Sequence, residues 1–192
     1  MKTNLIYFSP TGTTKKTLKM IAEGIGYETD IYNLTSAKSN IQIEITDGIT
    51  IFGVPVYAGR VPLICADRMK GITSNGTPAI VVAVYGNREF EDALVELRDI
   101  VTEAGFKVIA GAAFIGEHSY SSAEKPIAEN RPDEADCEKA IQFGQMVAEK
   151  LKSGNISTPY IEGFIPYKER MGARNITPET DGDICGTCGV CA

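Results

Sequence analysis

The stretch Asn4-Leu5-Ile6-Tyr7-Phe8-Ser9-Pro10-Thr11-Gly12-Thr13-Thr14 decides the fold. A short apolar run ends in a turn that carries four hydroxyls and one glycine and no cation. Leu18, Ile21, Ala22 and Ile25 then recur at helical spacing, so residues 13–25 read as an amphipathic helix behind a strand over 4–9. A strand that turns directly into a helix exposes the unpaired N–H groups of the helix's first turn, and the macrodipole adds partial positive charge there. Hydroxyls and a close-approaching Gly12 suit such a turn to a phosphate. The simpler reading of the same residues is a Ser/Thr-rich helix cap. The loop lacks the glycine spacing and Gly-Lys-Ser/Thr ending of a Walker A sequence, and its single glycine does not make a G-x-G-x-x-G turn.

Further along, strand and helix patterns alternate. Strands are expected at 29–34, 49–54, 79–84 and 106–115, with Gly111 a weak point in the last. Helices are expected near 62–71, around Leu94, Leu97, Val101 and Ala104, and over Ala140 to Leu151. Near-continuous apolar strands joined by crossover helices imply a parallel sheet covered on both faces. From Ser153 the periodicity stops and Pro159, Gly163, Pro166, Gly172 and Pro178 punctuate the chain. The expected organisation is a main domain over 1–152, a linker or surface strap over 153–184, and a cysteine motif over 185–192.

In an open parallel sheet, ligands bind beyond the carboxyl ends of the strands. Three such ends carry unusual residues: the Ser9–Thr14 loop, then Pro55-Val56-Tyr57-Ala58-Gly59-Arg60, then Tyr85-Gly86-Asn87-Arg88-Glu89-Phe90. The last two combine aromatics, which offer flat faces, with glycines, which permit backbone contact. Taken singly, each of these residues also reads as a core cap or a turn residue; their convergence on one crevice is the stronger signal.

On these loops the chain resembles the flavodoxin family over about residues 3–152, and most closely the flavodoxin-like domains that precede a ferredoxin module in some anaerobe proteins. The resemblance implies a doubly wound, three-layer α/β fold with a five-stranded parallel sheet of order 2-1-3-4-5. It implies FMN as cofactor, with Ser9, Thr11, Gly12, Thr13 and Thr14 around the phosphate. Tyr57 takes the position of an aromatic on the inner flavin face, Ala58 and Gly59 supply a peptide near flavin N5, and Gly86 and Asn87 meet the ring edge. Phe90 stands where many flavodoxins place a stacking tyrosine on the outer face. Pro55, Val56, Tyr85 and Arg88 complete the expected site. Arg60 and Arg88 depart from the acidic surround of typical flavodoxins; a cation there raises the flavin potential by Coulomb attraction.

The tail Cys185-Gly-Thr-Cys188-Gly-Val-Cys191-Ala192 carries three cysteines at C-x₂-C-x₂-C spacing, the opening of the bacterial ferredoxin run. A zinc site with further ligands and a redox C-x-x-C are the competing readings. The fourth cysteine of the run is absent, so a [4Fe-4S] cluster on Cys185, Cys188 and Cys191 is expected only in a longer protein of which this chain is a part. Cys65 and Cys137 stand alone and read as small buried residues. His118, in Gly116-Glu117-His118-Ser119-Tyr120-Ser121, reads as a surface histidine, with proton transfer the less favoured alternative.

Bulk properties describe an ordinary soluble globular protein. The 192 residues are 43% hydrophobic with a net charge of −6, and no basic run suits nucleic acid. No apolar stretch is long enough to span a bilayer and no signal peptide precedes the first strand, so a cytoplasmic location is expected. The expected function is FMN-dependent electron transfer with redox partner proteins, ferredoxin-type clusters among them. An FMN-dependent NAD(P)H or quinone reductase and a non-redox module for another phosphorylated ligand remain as alternatives. Oligomeric state is not legible.

Overall fold

A computed structural model describes residues 1–36, 42–154, 156–170, 172 and 180–186. In chain order the elements are β1 (Lys2–Tyr7), α1 (Thr13–Ile25), β2 (Glu28–Asn33), β3 (Ile43–Ile45), β4 (Ile49–Pro55), α2 (Leu63–Met69), β5 (Ile72–Ser74), β6 (Pro78–Tyr85), α3 (Ala93–Glu103), β7 (Lys107–Ile115) and α4 (Glu134–Lys152). Five strands form one parallel sheet in the order β2-β1-β4-β6-β7. Counted within that sheet, this is the expected order 2-1-3-4-5. The small parallel pair β3-β5 was not anticipated; its strands are three residues each, too short to show a period.

Strand periodicity sorts the core onto two faces. Leu5, Tyr7, Ile49, Ile51, Ile80 and Val82 pack with Leu18 and Ile21 of α1 and Ala140 and Val147 of α4. The alternate residues Ile6, Phe52, Val54, Val81 and Ala83 pack with Cys65 and Met69 of α2 and Leu94, Leu97 and Val101 of α3. Both sheet faces are therefore dry, which is why these strands read as unbroken apolar runs. Cys65 is fully buried as expected, whereas Cys137 is only half-buried.

The last helix begins six residues earlier than its apolar pattern shows. Asp133 caps it: its carboxylate accepts the Asp136 N–H at 3.0 Å, and the Asp136 carboxylate accepts the Asp133 N–H at 3.1 Å. Beyond α4, residues 156–170 lie against α3 and β7. Ile161 is buried in the α2/α3 core and packs on Gly111, the residue that looked like a weak point in β7. Asp92, at the start of α3, accepts the backbone N–H groups of Phe164 at 2.9 Å and Lys168 at 2.6 Å. Among the described residues no helix is long and apolar enough to cross a membrane.

Candidate functional site

The sheet's strand order reverses between β1 and β4, and the loop after β1 lies at that point. Gly12 starts α1 with φ +85°, in the left-handed region that favours glycine. Its missing side chain is replaced as a cap by Ser9, whose Oγ accepts the Lys15 N–H at 3.0 Å. The Ser9 N–H donates to Thr35 Oγ1 at 2.7 Å, which ties the loop to the end of β2. Thr11 Oγ1 and Thr13 Oγ1 are 3.2 Å apart. The N–H groups of Thr13 and Thr14 occupy the first helical turn and have no carbonyl one turn back to bond. No carboxylate sits within that turn, which leaves its partial positive charge uncancelled by the helix's own side chains.

After β4, Tyr57 and Arg60 exchange two backbone hydrogen bonds, of 3.0 and 3.1 Å, across Ala58 and Gly59. Both central residues have positive φ, 51° and 80°, as a type I′ turn requires, and glycine at the second position relieves that demand. The turn projects Tyr57 half out of the protein, 49% exposed, although burial of the remainder pushes its phenol pKa up. After β6, the Tyr85 ring meets the Phe90 ring edge-on, with centroids 5.6 Å apart.

These loops enclose two cavities that share walls. The larger, about 350 Å³, runs from Pro10, Thr11, Thr13 and Thr14 past Pro55, Val56 and Tyr57 to Tyr85 and Gly86, closed by Glu117, His118 and Ser119. The smaller, about 250 Å³, adjoins it through Val56, Tyr85, Gly86 and His118 and extends past Ala58, Gly59 and Arg88 to Glu91 and Lys168. Its far wall is thus contributed by the segment after α4.

Ser9 and Gly12 shape the turn without lining either cavity, and Arg60, Asn87 and Phe90 also line neither. Arg60 does not face the crevice. Its Nε and Nη2 donate to both oxygens of Glu96, at 2.8 and 2.9 Å, and its guanidinium lies 4.6 Å from the centre of the Tyr167 ring. Burial forces this: a guanidinium on a side chain only 10% exposed needs a carboxylate, and α3 supplies one. Its charge is compensated locally, so the expected ring-side cation at this position is corrected. Phe90 packs against the α2/α3 core and lines neither cavity, so it is not placed as an outer wall. Asn87, with φ 57°, is exposed and also outside both walls. Arg88 is exposed, borders the smaller cavity, and has no ion-pair partner among the described residues.

Sequence reasoning missed the contribution of the β7–α4 loop. Glu117, His118 and Ser119 follow the fifth strand of the large sheet, so the rule that ligands sit at strand ends applied to them as well. His118 is half-buried rather than a free surface residue. Lys168 carried no signal, because nothing in an aperiodic segment shows where it docks. Of the tail cysteines, Cys185 is exposed and free; Cys188 and Cys191 lie outside the described residues.

No protein-family model matches the chain, and no curated protein matches it. Solved structures do. A flavone reductase superposes with a TM-score of 0.60 at 15% identity, covering 83% of this chain and 66% of that one. Flavodoxin 2 of Bacillus cereus gives 0.55 at 18% identity, over 78% of this chain and 99% of its own. A flavodoxin from the domain Archaea gives 0.50 at 16% identity, over 79% and 99%. This chain has the flavodoxin fold. The match takes in nearly the whole length of both flavodoxins, and about a fifth of this chain lies outside it. In an open parallel sheet the switch point in strand order is where a ligand crevice forms, and the larger cavity opens there, beside the loops after β1 and β4.

Proposed function

We propose that the chain binds FMN in the crevice and serves as a one- or two-electron carrier. The observation that carries this reading is the larger cavity, which has a hydroxyl-lined helix start with free N–H donors at one end and aromatic and glycine-bearing loops at the other. The donor set fits a phosphate monoester. Thr11, Thr13 and Thr14 would hold it through hydroxyls and backbone N–H groups, with Ser9 fixing the turn. Tyr57 and the Tyr85–Gly86 backbone would border the ring, and the cavity volume lies within the range of small-molecule sites. Bound flavin supplies the redox chemistry; the protein supplies binding, orientation and electrostatics.

The proposed electron partner is an iron–sulfur cluster of ferredoxin type. Its support is the spacing of Cys185, Cys188 and Cys191, together with the route of residues 156–170, which carries the chain from α4 to the rim of the crevice at Lys168.

A second reading, an FMN-dependent reductase, draws support from the smaller cavity beside the ring end and from the superposition on a flavone reductase. Arg88 and Lys168 on that rim would meet an anionic substrate. The two readings separate in one anaerobic experiment on FMN-loaded protein. A carrier leaves the flavin absorbance unchanged with NADH or NADPH but passes electrons to a ferredoxin after photoreduction. Bleaching within seconds by a nicotinamide nucleotide would replace the carrier by the reductase.

A further inference from the structure

We infer that His118 forms the second wall of the planar end of the crevice, in the role that Phe90 does not fill, and donates a hydrogen bond from Nε2 to the bound ring. The inference rests on the FMN reading of the same crevice. His118 is the chain's single histidine and borders both cavities, where they join. Its ring lies directly on Gly86: a Cβ built on that glycine would stand 2.2 Å from His118 Cδ2. Any side chain at residue 86 would therefore evict the imidazole, which gives Gly86 a steric reason beyond its turn.

Backbone bonds fix the residue, and two further contacts fix its ring. The His118 N–H donates to the Ile127 carbonyl at 3.1 Å, and its carbonyl accepts the Ser121 N–H at 2.8 Å. Nδ1 accepts the Tyr120 N–H at 3.0 Å. The Tyr120 ring leans on the imidazole with centroids 5.1 Å apart. An imidazole whose Nδ1 is an acceptor carries its proton on Nε2 when neutral. Nε2 is bonded to the same Cδ2 that touches Gly86, and it has no partner among the described residues. A donor fixed at the junction of two cavities, on a flat ring, suits an aromatic heterocycle with acceptor atoms at its edge. Phe90, which the resemblance would place on the outer face of the ring, packs against the α2/α3 core instead.

The test compares the full-length wild type with His118→Ala, His118→Phe and Phe90→Leu, titrating each with FMN and with riboflavin by flavin fluorescence. It also records the visible spectrum and midpoint potential of the bound FMN. We expect His118→Ala to raise the FMN dissociation constant at least tenfold and riboflavin's by the same factor, because the ring rather than the phosphate loses a contact. His118→Phe, which keeps the flat wall and removes the donor, recovers most of the affinity but shifts the bound spectrum and the potential. Phe90→Leu stays within twofold. An FMN affinity for His118→Ala within twofold of wild type overturns the inference alone. So does a His118→Phe spectrum and potential identical to wild type. Failure of the wild type to bind FMN overturns the underlying reading and the inference with it. Should His118→Ala not fold, His118→Phe decides through its spectrum and potential.

Discussion

Arg60 and Glu96 form a buried two-point ion pair, Nε–Oε2 at 2.8 Å and Nη2–Oε1 at 2.9 Å, with side chains 10% and 8% exposed. The same carboxylate accepts the Val61 N–H at 2.9 Å and Arg170 Nη2 at 2.6 Å. Glu96 thus joins the Tyr57–Arg60 turn, α3 and the segment after α4. Removing it leaves Arg60 buried and uncompensated, so Glu96→Ala should cost about 3–5 kcal/mol. Urea unfolding followed by circular dichroism measures this. A loss below 1 kcal/mol would mean that water enters and solvates the guanidinium.

Because Arg60 is compensated, Arg88 is the arginine left to act on a bound flavin. Truncating an exposed cation beside the ring lowers the potential, since the reduced, more negative flavin loses a stabilising charge. An exposed pair is worth at most about 1 kcal/mol, so Arg88→Ala should lower the midpoint by less than about 40 mV. The shift should shrink at high salt. Potentiometry at two ionic strengths reads both effects, and an upward shift would contradict the placement of Arg88.

Asp136 is held below its ordinary pKa of 3.8, first by its hydrogen bond to Arg131 and further by the Asp133 N–H. A carboxyl with a depressed folded-state pKa contributes stability in full above its unfolded value and loses it as pH falls through the folded value. The wild type should therefore lose stability more steeply below about pH 4 than Asp136→Asn does, while the variant is the less stable of the two at neutral pH. Urea midpoints between pH 2 and 7 test the sign. Equal slopes in acid would remove the Arg131–Asp136 pair from the account.

Helices α1 and α4 touch through backbone. A Cβ on Gly144 would stand 2.1 Å from the Ile21 carbonyl oxygen, and one on Gly24 would stand 2.0 Å from that of Ile141. Neither obstacle is a side chain that can turn aside. Gly144→Ala should destabilise by roughly 1–3 kcal/mol despite alanine's better helix propensity, because overpacking forces the helices apart. A thermal melt that rises on Gly144→Ala would contradict so close a contact.

Much of this was legible in the sequence for a physical reason. A strand buried on both faces has no polar alternate residues, so β4 and β6 announce themselves as Ile49–Val54 and Ala79–Val84. The hydroxyl-rich start of α1 is equally local: strand, turn and helix are contiguous. What was not legible depends on contacts across the chain. Whether Arg60 faces the crevice or Glu96 is settled by a residue 36 positions away. The contact of His118 with Gly86 depends on how β6 and β7 end side by side. Gly111 looked like a defect in β7 because its partner, Ile161, belongs to a segment without periodicity.

The most direct test of the FMN reading is gel filtration of the purified full-length chain after incubation with FMN or riboflavin, monitored in the visible. A hydroxyl-lined helix start that holds a phosphate predicts FMN co-eluting at about one per chain, while riboflavin is lost or retained far more weakly. Equal retention of both would leave the ring site and remove the phosphate role of Thr11, Thr13 and Thr14. No retained flavin in either sample would contradict the assignment of this crevice to FMN.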